Sequence, residues 1–160
     1  MANVSLQSEA QRPIPLILPP YLYGSVLAVG VVLHFLLPIR VFSRWQIGII
    51  AGMLLLAVGV FVLVWAVRTF TRGGVDPRFK PVGNLVTTGP FAYSRNPMYI
   101  AFTLIYLGIS LLVNTAWSLF FLLPVLITMH HGVIRREERY LTSRFGEEYQ
   151  RYRAQVRRWV

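Results

Sequence analysis

Long stretches without a charged side chain constrain this chain more than any other feature of its 160 residues. Between Arg12 and Arg40, between Arg44 and Arg68, and between Arg95 and Arg135 there is no Asp, Glu, Lys or Arg. A helix rises about 1.5 Å per residue and the hydrocarbon core of a bilayer is about 30 Å thick, so each stretch is long enough to cross it. The third is long enough to cross twice. Charged residues make up only 14% of the chain, against roughly 25% in a soluble domain. A soluble globule is excluded. The expected fold is all-α: a polytopic membrane helix bundle with four transmembrane helices and a short amphipathic helical C-terminal tail.

Local signals place the elements. Residues 1–19 read as a flexible N terminus whose first dozen residues are polar, and Pro13, Pro15, Pro19 and Pro20 punctuate the approach to the first span. The first span runs from about Tyr21 to Leu37, closed by Pro38, and the second from about Ile47 to Val67, with Trp45 at the interface. These two spans and the start of a Gly/Pro-rich loop occupy residues 20–82. In the remaining half, 83–160, Asn96-Pro97 reads as a helix start. Asn caps free N–H groups, and Pro is tolerated at the first helical position because its missing N–H has no partner there. A third span over about Pro97–Val113 and a fourth over about Ala116–Ile134 flank the polar break Asn114-Thr115, predicting a tight antiparallel hairpin with a kink at Pro124. From Arg135 the chain turns polar, with Tyr140, Leu141 and Phe145 at helical spacing, a break at Gly146, and Tyr149, Tyr152 and Val156 beyond it. Taken alone, that pattern fits a solvated tail on the membrane surface equally well. All of this belongs to a single integral-membrane domain.

Charge sets the orientation. The second loop carries Arg68, Arg72, Arg78, Lys80 and Arg95, and the tail carries eight arginines, whereas the first loop has only Arg40 and Arg44 and the Asn114 turn has none. With four spans, the second loop, the tail and the N terminus share one side, and the positive-inside rule makes it cytoplasmic. A bacterial-type inner membrane is the expected location. The net charge of +10 is this topology signal, not a nucleic-acid footprint. The absence of cysteine removes disulfides, thiolate nucleophiles and Cys-based metal sites, and no metal is expected. A cleavable signal peptide is not expected either, since the first apolar run lacks a small-residue cleavage site. Proton-coupled export needs an ionisable group within the bundle. The spans contain no acid, only His34, His130 and His131.

The polar residues that could build a site gather at the cytoplasmic interface. They are the Gly/Pro loop, the Arg95–Tyr99 helix start, His130-His131 and Glu137-Glu138. The hairpin returns both ends of the third uncharged stretch to one face, so residues nearly forty positions apart can meet. A cavity there has a polar mouth toward water and an apolar wall toward lipid, which suits an enzyme that joins a water-soluble cofactor to a lipid-soluble substrate.

These residues also carry a resemblance. The run from Leu85 through Thr88-Gly89-Pro90-Phe91 to Arg95-Asn96-Pro97-Met98-Tyr99 resembles the hallmark of the isoprenylcysteine carboxyl methyltransferase and phospholipid methyltransferase superfamily, an Arg-His-Pro-x-Tyr motif after a Thr-x-Gly-x-Tyr turn. Glu137-Glu138, Leu141, Phe145-Gly146, Tyr149 and Tyr152 are similar to the family's Glu-Glu-x-x-Leu…Phe-Gly-x-x-Tyr-x-x-Tyr ending. The likeness covers about Gly83 to Val160, with the expected hairpin between its two motifs. It implies an integral-membrane methyltransferase that uses S-adenosylmethionine, with a lipid-soluble small molecule as acceptor and the membrane as its setting. Carried over by position, Gly83, Asn84, Leu85, Val86, Phe91, Asn96, Pro97, Met98, Tyr99 and Glu137 are the expected cofactor contacts. Carboxylates bind ribose hydroxyls or an ammonium group, a helix start holds a carboxylate, and aromatic rings tolerate a sulfonium.

The chain departs from the family at two functional positions. Asn96 stands where the family has His, which removes any role for a protonated imidazole there. Val133 stands where the carboxyl methyltransferases place an Arg for the prenylcysteine carboxylate, leaving Arg136, Arg135 and Arg95 as candidates for that charge. An amine acceptor, as in phospholipid headgroup methylation, needs a base, and His130 or Glu138 is expected to serve. A nicotinamide-using sterol reductase is disfavoured by the short tail, and a small transport or structural protein is the non-enzymatic alternative.

Overall fold

The computed structural model describes residues 19–74 and 84–159. Its helices are α1 (Pro19–Leu36), α2 (Trp45–Arg72), α3 (Pro97–Val113), α4 (Ala116–Thr128) and α5 (Arg135–Gln155). A 3-10 turn spans Gly89–Ala92, and a π-helical segment, Met129–Ile134, joins α4 to α5. There is no β-strand among the described residues, only one isolated bridge between Arg40 and Thr115. Three runs are long and apolar enough to cross a membrane: α1, α2 and the continuous helical run Ala116–Gln155. α3 is shorter, and its 17 residues measure about 26 Å, close to the thickness of the hydrocarbon core. Phe35, Ile50, Leu54, Phe61 and Phe120 point outward, as befits a surface wetted by lipid rather than water.

Small residues decide which helices touch. Gly48 and Gly52 lie one turn apart on α2, a small-xxx-small pair that lets two backbones approach. A Cβ on Gly52 would lie 2.8 Å from the Gly108 carbonyl of α3, and one on Gly59 would lie 2.9 Å from the backbone N of Ile105. α3 therefore lies along α2. On the other side α4 lies along α1, where Gly30 faces Ser118 with no room for a side chain. The tight side-by-side hairpin predicted for the third and fourth spans is thus corrected. Their connection is tight, and Tyr106 Oη of α3 donates to the Ser118 carbonyl at 2.8 Å near the turn. Beyond it, each helix packs chiefly on a different partner, because the glycines lie on α1 and α2.

The polar break in the third uncharged stretch acts as a clasp. Asn114 takes the left-handed conformation that ends α3 (φ 59°). Its Oδ1 accepts from the backbone N–H groups of Val41 and Phe42 at 3.0 and 2.9 Å, and its Nδ2 donates to the Phe42 carbonyl at 2.9 Å. One side chain thereby satisfies three backbone groups of the α1–α2 loop, which would otherwise lack partners at the bilayer edge. At the opposite end, Gly146 breaks the helical path of α5 with φ 51° and ψ −121°. The tail does not trail along the membrane surface. It folds back until Arg157 and Arg158 meet the start of α3.

Candidate functional site

Four pieces of the chain meet at the polar end of α3. The 3-10 turn buries Phe91, whose ring packs on Phe70 of α2 at a centroid distance of 4.7 Å. Its carbonyl accepts a hydrogen bond from Tyr152 Oη at 2.7 Å. Ser94 Oγ and Asn96 Nδ2 both donate to the Arg158 carbonyl, at 3.1 and 2.9 Å, and Arg95 N donates to the Arg157 carbonyl at 3.0 Å. Asn96 therefore does not cap α3 with its side chain, contrary to the expectation from Asn-Pro. Its amide instead holds the C-terminal strap, and Ser94 Oγ accepts from the Asn96 N–H at 3.1 Å.

The two adjacent acids serve different partners, because successive helical residues point about 100° apart. Tyr99 Oη donates to Glu137 Oε2 at 2.9 Å. Burial raises the Glu137 carboxyl above the ordinary carboxylate range, the Tyr99 bond pulls it partly back, and the neighbouring Glu138 charge adds to the rise. Glu138 is gripped by two cations. Arg158 approaches it in bidentate fashion at 2.9 and 2.7 Å, and Arg95 Nη1 lies 2.8 Å from Oε1. Arg95 Nη1 also donates to Tyr149 Oη at 3.3 Å, while its Nε is buried without a hydrogen-bond partner. Burial pushes the Tyr149 phenol up.

These groups surround a cavity walled by Phe70, Leu85, Val86, Phe91, Arg95, Asn96, Glu137, Glu138, Leu141, Tyr149 and Tyr152. Its volume is about 50 Å³, well below the roughly 300–1,000 Å³ of a small-molecule pocket. Its donor set nonetheless fits S-adenosylmethionine. Glu137 offers acceptors for hydroxyls or an ammonium, Arg95 offers a spare donor for a carboxylate, and the rings offer apolar and π faces.

The cofactor contacts expected from sequence divide accordingly. Leu85, Val86, Phe91, Asn96 and Glu137 line this cavity, Tyr99 joins it through Glu137, and Pro97 is buried beside it. Asn84 is exposed, Met98 is half-buried away from the cavity wall, and Gly83 lies outside the described residues. Of the three residues expected to act on the acceptor, Glu138 is on the cavity wall, sealed by its arginines. His130 lines a separate apolar groove of about 450 Å³ between α3 and α4, together with Thr103, Leu126, Ile127 and Trp159. Arg136 is exposed on α5 and belongs to neither. Val133 is buried in the cluster of Tyr99, Tyr106 and Met129, so that position is core rather than pocket. Arg158 was not legible as a site residue. The only signal for it was indirect: an enclosed Glu pair requires cations, and the tail is rich in arginine.

Comparison with known proteins converges on the same segment. Residues 47–148 match the family model for phospholipid methyltransferase. The chain is 39% identical over 72 residues to a protein-S-isoprenylcysteine O-methyltransferase of Schizosaccharomyces pombe, covering 45% of this chain and 30% of that protein. It is 36% identical over 63 residues to an uncharacterised protein of Haemophilus influenzae, covering 39% of this chain and all of the other. No solved structure matches significantly.

Proposed function

The chain belongs to the phospholipid methyltransferase family, and from that premise we propose that it transfers the methyl group of S-adenosylmethionine to a lipid-soluble acceptor at the cytoplasmic face of the membrane. One observation carries the reading. The hydrogen bond from Tyr99 to Glu137 and the Arg95–Glu138–Arg158 network bring two sequence-distant motifs onto one cavity at the polar end of the bundle. When bound, S-adenosylmethionine supplies an electrophilic methyl on a sulfonium. Glu137 would accept hydrogen bonds from its hydroxyls or ammonium, Arg95 Nε would meet its carboxylate, and the rings of Phe91, Tyr149 and Tyr152 would supply apolar and π faces to it. The cavity, at about 50 Å³, has to widen to admit it. Glu138 has a structural role, keeping the strap and the start of α3 in register.

In this reading the acceptor occupies the apolar groove between α3 and α4, which is walled by residues other than those of the cofactor cavity. His130 lines that groove and takes the proton of an amine acceptor. With Val133 in the core, no cation stands at that position to meet a prenylcysteine carboxylate. A partnerless buried carboxylate costs several kcal/mol, so farnesylcysteine is expected to be a poor substrate.

Binding of S-adenosylhomocysteine to the detergent-purified protein, measured by calorimetry, tests the reading. Glu137→Gln is expected to weaken binding at least about fivefold, the scale of a charge-assisted hydrogen bond, and Arg40→Ala, at the opposite end, to leave it unchanged. A folded protein with no affinity for S-adenosylhomocysteine ends the proposal.

A further inference from the structure

Beyond the last uncharged stretch, α5 and the strap enclose a groove of about 540 Å³ that the proposed methyl transfer does not use. Arg135, Arg139, Arg153 and Arg158 line it against one carboxylate, Glu138, with His131 and Thr142 completing the wall. The bend at Gly146 builds the groove. Arg135 and Arg139 stand one turn apart on the first half of α5, and after the bend the chain returns Arg153 and Arg158 to the same wall.

Glu138 does not neutralise this wall, because it is already shared between Arg158 and Arg95. Among the described residues, Arg135, Arg139 and Arg153 have no carboxylate within 4.0 Å. Arg135 Nη1 lies 3.4 Å from His131 Nδ1, and Arg139 spends only its Nε, on the Arg135 carbonyl at 3.3 Å. Arg158 spends Nε and Nη2 on Glu138. Like charges held on a concave wall raise the local potential for an anion, and guanidinium forks match phosphoryl oxygens.

Size and lining narrow the class of anion. The volume falls within the roughly 300–1,000 Å³ of small-molecule sites, more than one phosphate fills, and the arginines come in two groups from the two sides of the bend. No aliphatic side chain lines the groove, so it offers no bed for an acyl chain, and it shares only His131 with the groove between α3 and α4. We propose that it binds a soluble ligand carrying two phosphoryl groups, a diphosphate or a nucleoside diphosphate, with one group toward Arg135 and Arg139 and the other toward Arg153 and Arg158. The site does not depend on methyl transfer, and its failure leaves the methyltransferase reading untouched.

Titration calorimetry of the full chain in a neutral detergent tests it, with inorganic diphosphate and inorganic phosphate as probes. Physiological ionic strength is used, so that diffuse surface attraction is screened. Diphosphate is expected to bind at least tenfold tighter than phosphate. Arg139→Gln/Arg153→Gln should weaken diphosphate binding at least tenfold, and Arg153→Gln alone at least threefold. Arg144→Gln/Arg151→Gln removes the same charge from exposed positions of α5 outside the groove and should leave the affinity within twofold. An unchanged melting temperature shows that each variant is folded, and the single variant carries the test if the double one is not. Equal loss in both double variants means diffuse attraction to arginine and overturns the site, as does no loss in any variant. Equal affinity for phosphate and diphosphate overturns the two-group assignment. Loss of diphosphate binding when the protein is moved into nanodiscs rich in phosphatidylglycerol means that lipid headgroups fill the groove, and overturns the soluble ligand.

Discussion

Glu137 and Glu138 are neighbours in sequence with opposite environments, and single substitutions should separate them. Burial raises the Glu137 carboxyl above the usual carboxylate range. A ligand that needs the carboxylate must displace a proton where Glu137 carries one, so S-adenosylhomocysteine affinity is expected to rise with pH up to the raised value and level off above it. The same shift works against folding. A carboxyl whose folded value is raised contributes stability at low pH, and this is lost as pH climbs through that window. Titration calorimetry across the window checks the first expectation, and Glu137→Gln should flatten the profile. Glu138→Gln is a different lesion. It removes the negative charge that neutralises Arg95, whose side chain is 9% exposed, and puts an amide donor against a guanidinium; breaking such a buried pair costs about 3–5 kcal/mol. Its thermal midpoint in detergent should fall well below that of Glu137→Gln.

At the scale of elements, two glycines on neighbouring helices predict opposite signs. Gly52 is in backbone contact with α3, so Gly52→Ala forces a Cβ to within 2.8 Å of a carbonyl and should lower the melting temperature. Gly24 on α1 has nothing within 4 Å of the place a Cβ would occupy, and Gly24→Ala should be neutral or stabilise by up to about 1 kcal/mol through helix propensity. Equal effects of the two would remove close glycine packing as the reason α3 lies on α2. Gly146 belongs to a third class. Its φ of 51° with ψ of −121° is a conformation that L side chains rarely adopt. Gly146→Ala should straighten α5, draw the strap from the start of α3, and weaken S-adenosylhomocysteine binding more than it lowers helix content by circular dichroism.

The whole molecule is held at its two ends by different means. At one end, Asn114 and the bridge between Arg40 and Thr115 clasp the loops. At the other, the strap after α5 ties the start of α3 to Glu138 beside the cavity, so a stop codon after Gln155 should abolish S-adenosylhomocysteine binding and leave the protein membrane-inserted. Sidedness is open to direct measurement because the chain has no cysteine. A cysteine at the exposed Ala154 should react with an impermeant maleimide only from the cytoplasmic side, and one at the exposed Ser43 only from the other. Reversed labelling would place the cavity on the outer face.

How much of this was legible in the sequence follows from the range of the forces involved. Hydrophobic segregation, the Asn-Pro helix start, the Asn114 turn and the Gly146 break are local, and each was readable from a few residues and their immediate neighbours. The superfamily was readable too, because its two motifs are short and keep their order. What Asn96 and Glu138 do was not, since their partners lie 62 and 20 residues away. Nor was the pairing of α3 with α2 and of α4 with α1. Apolarity puts all of these helices into a bilayer and is indifferent to which of them touch. That choice fell to the backbone approach that Gly30, Gly52 and Gly108 permit, and only the folded chain brings those positions face to face.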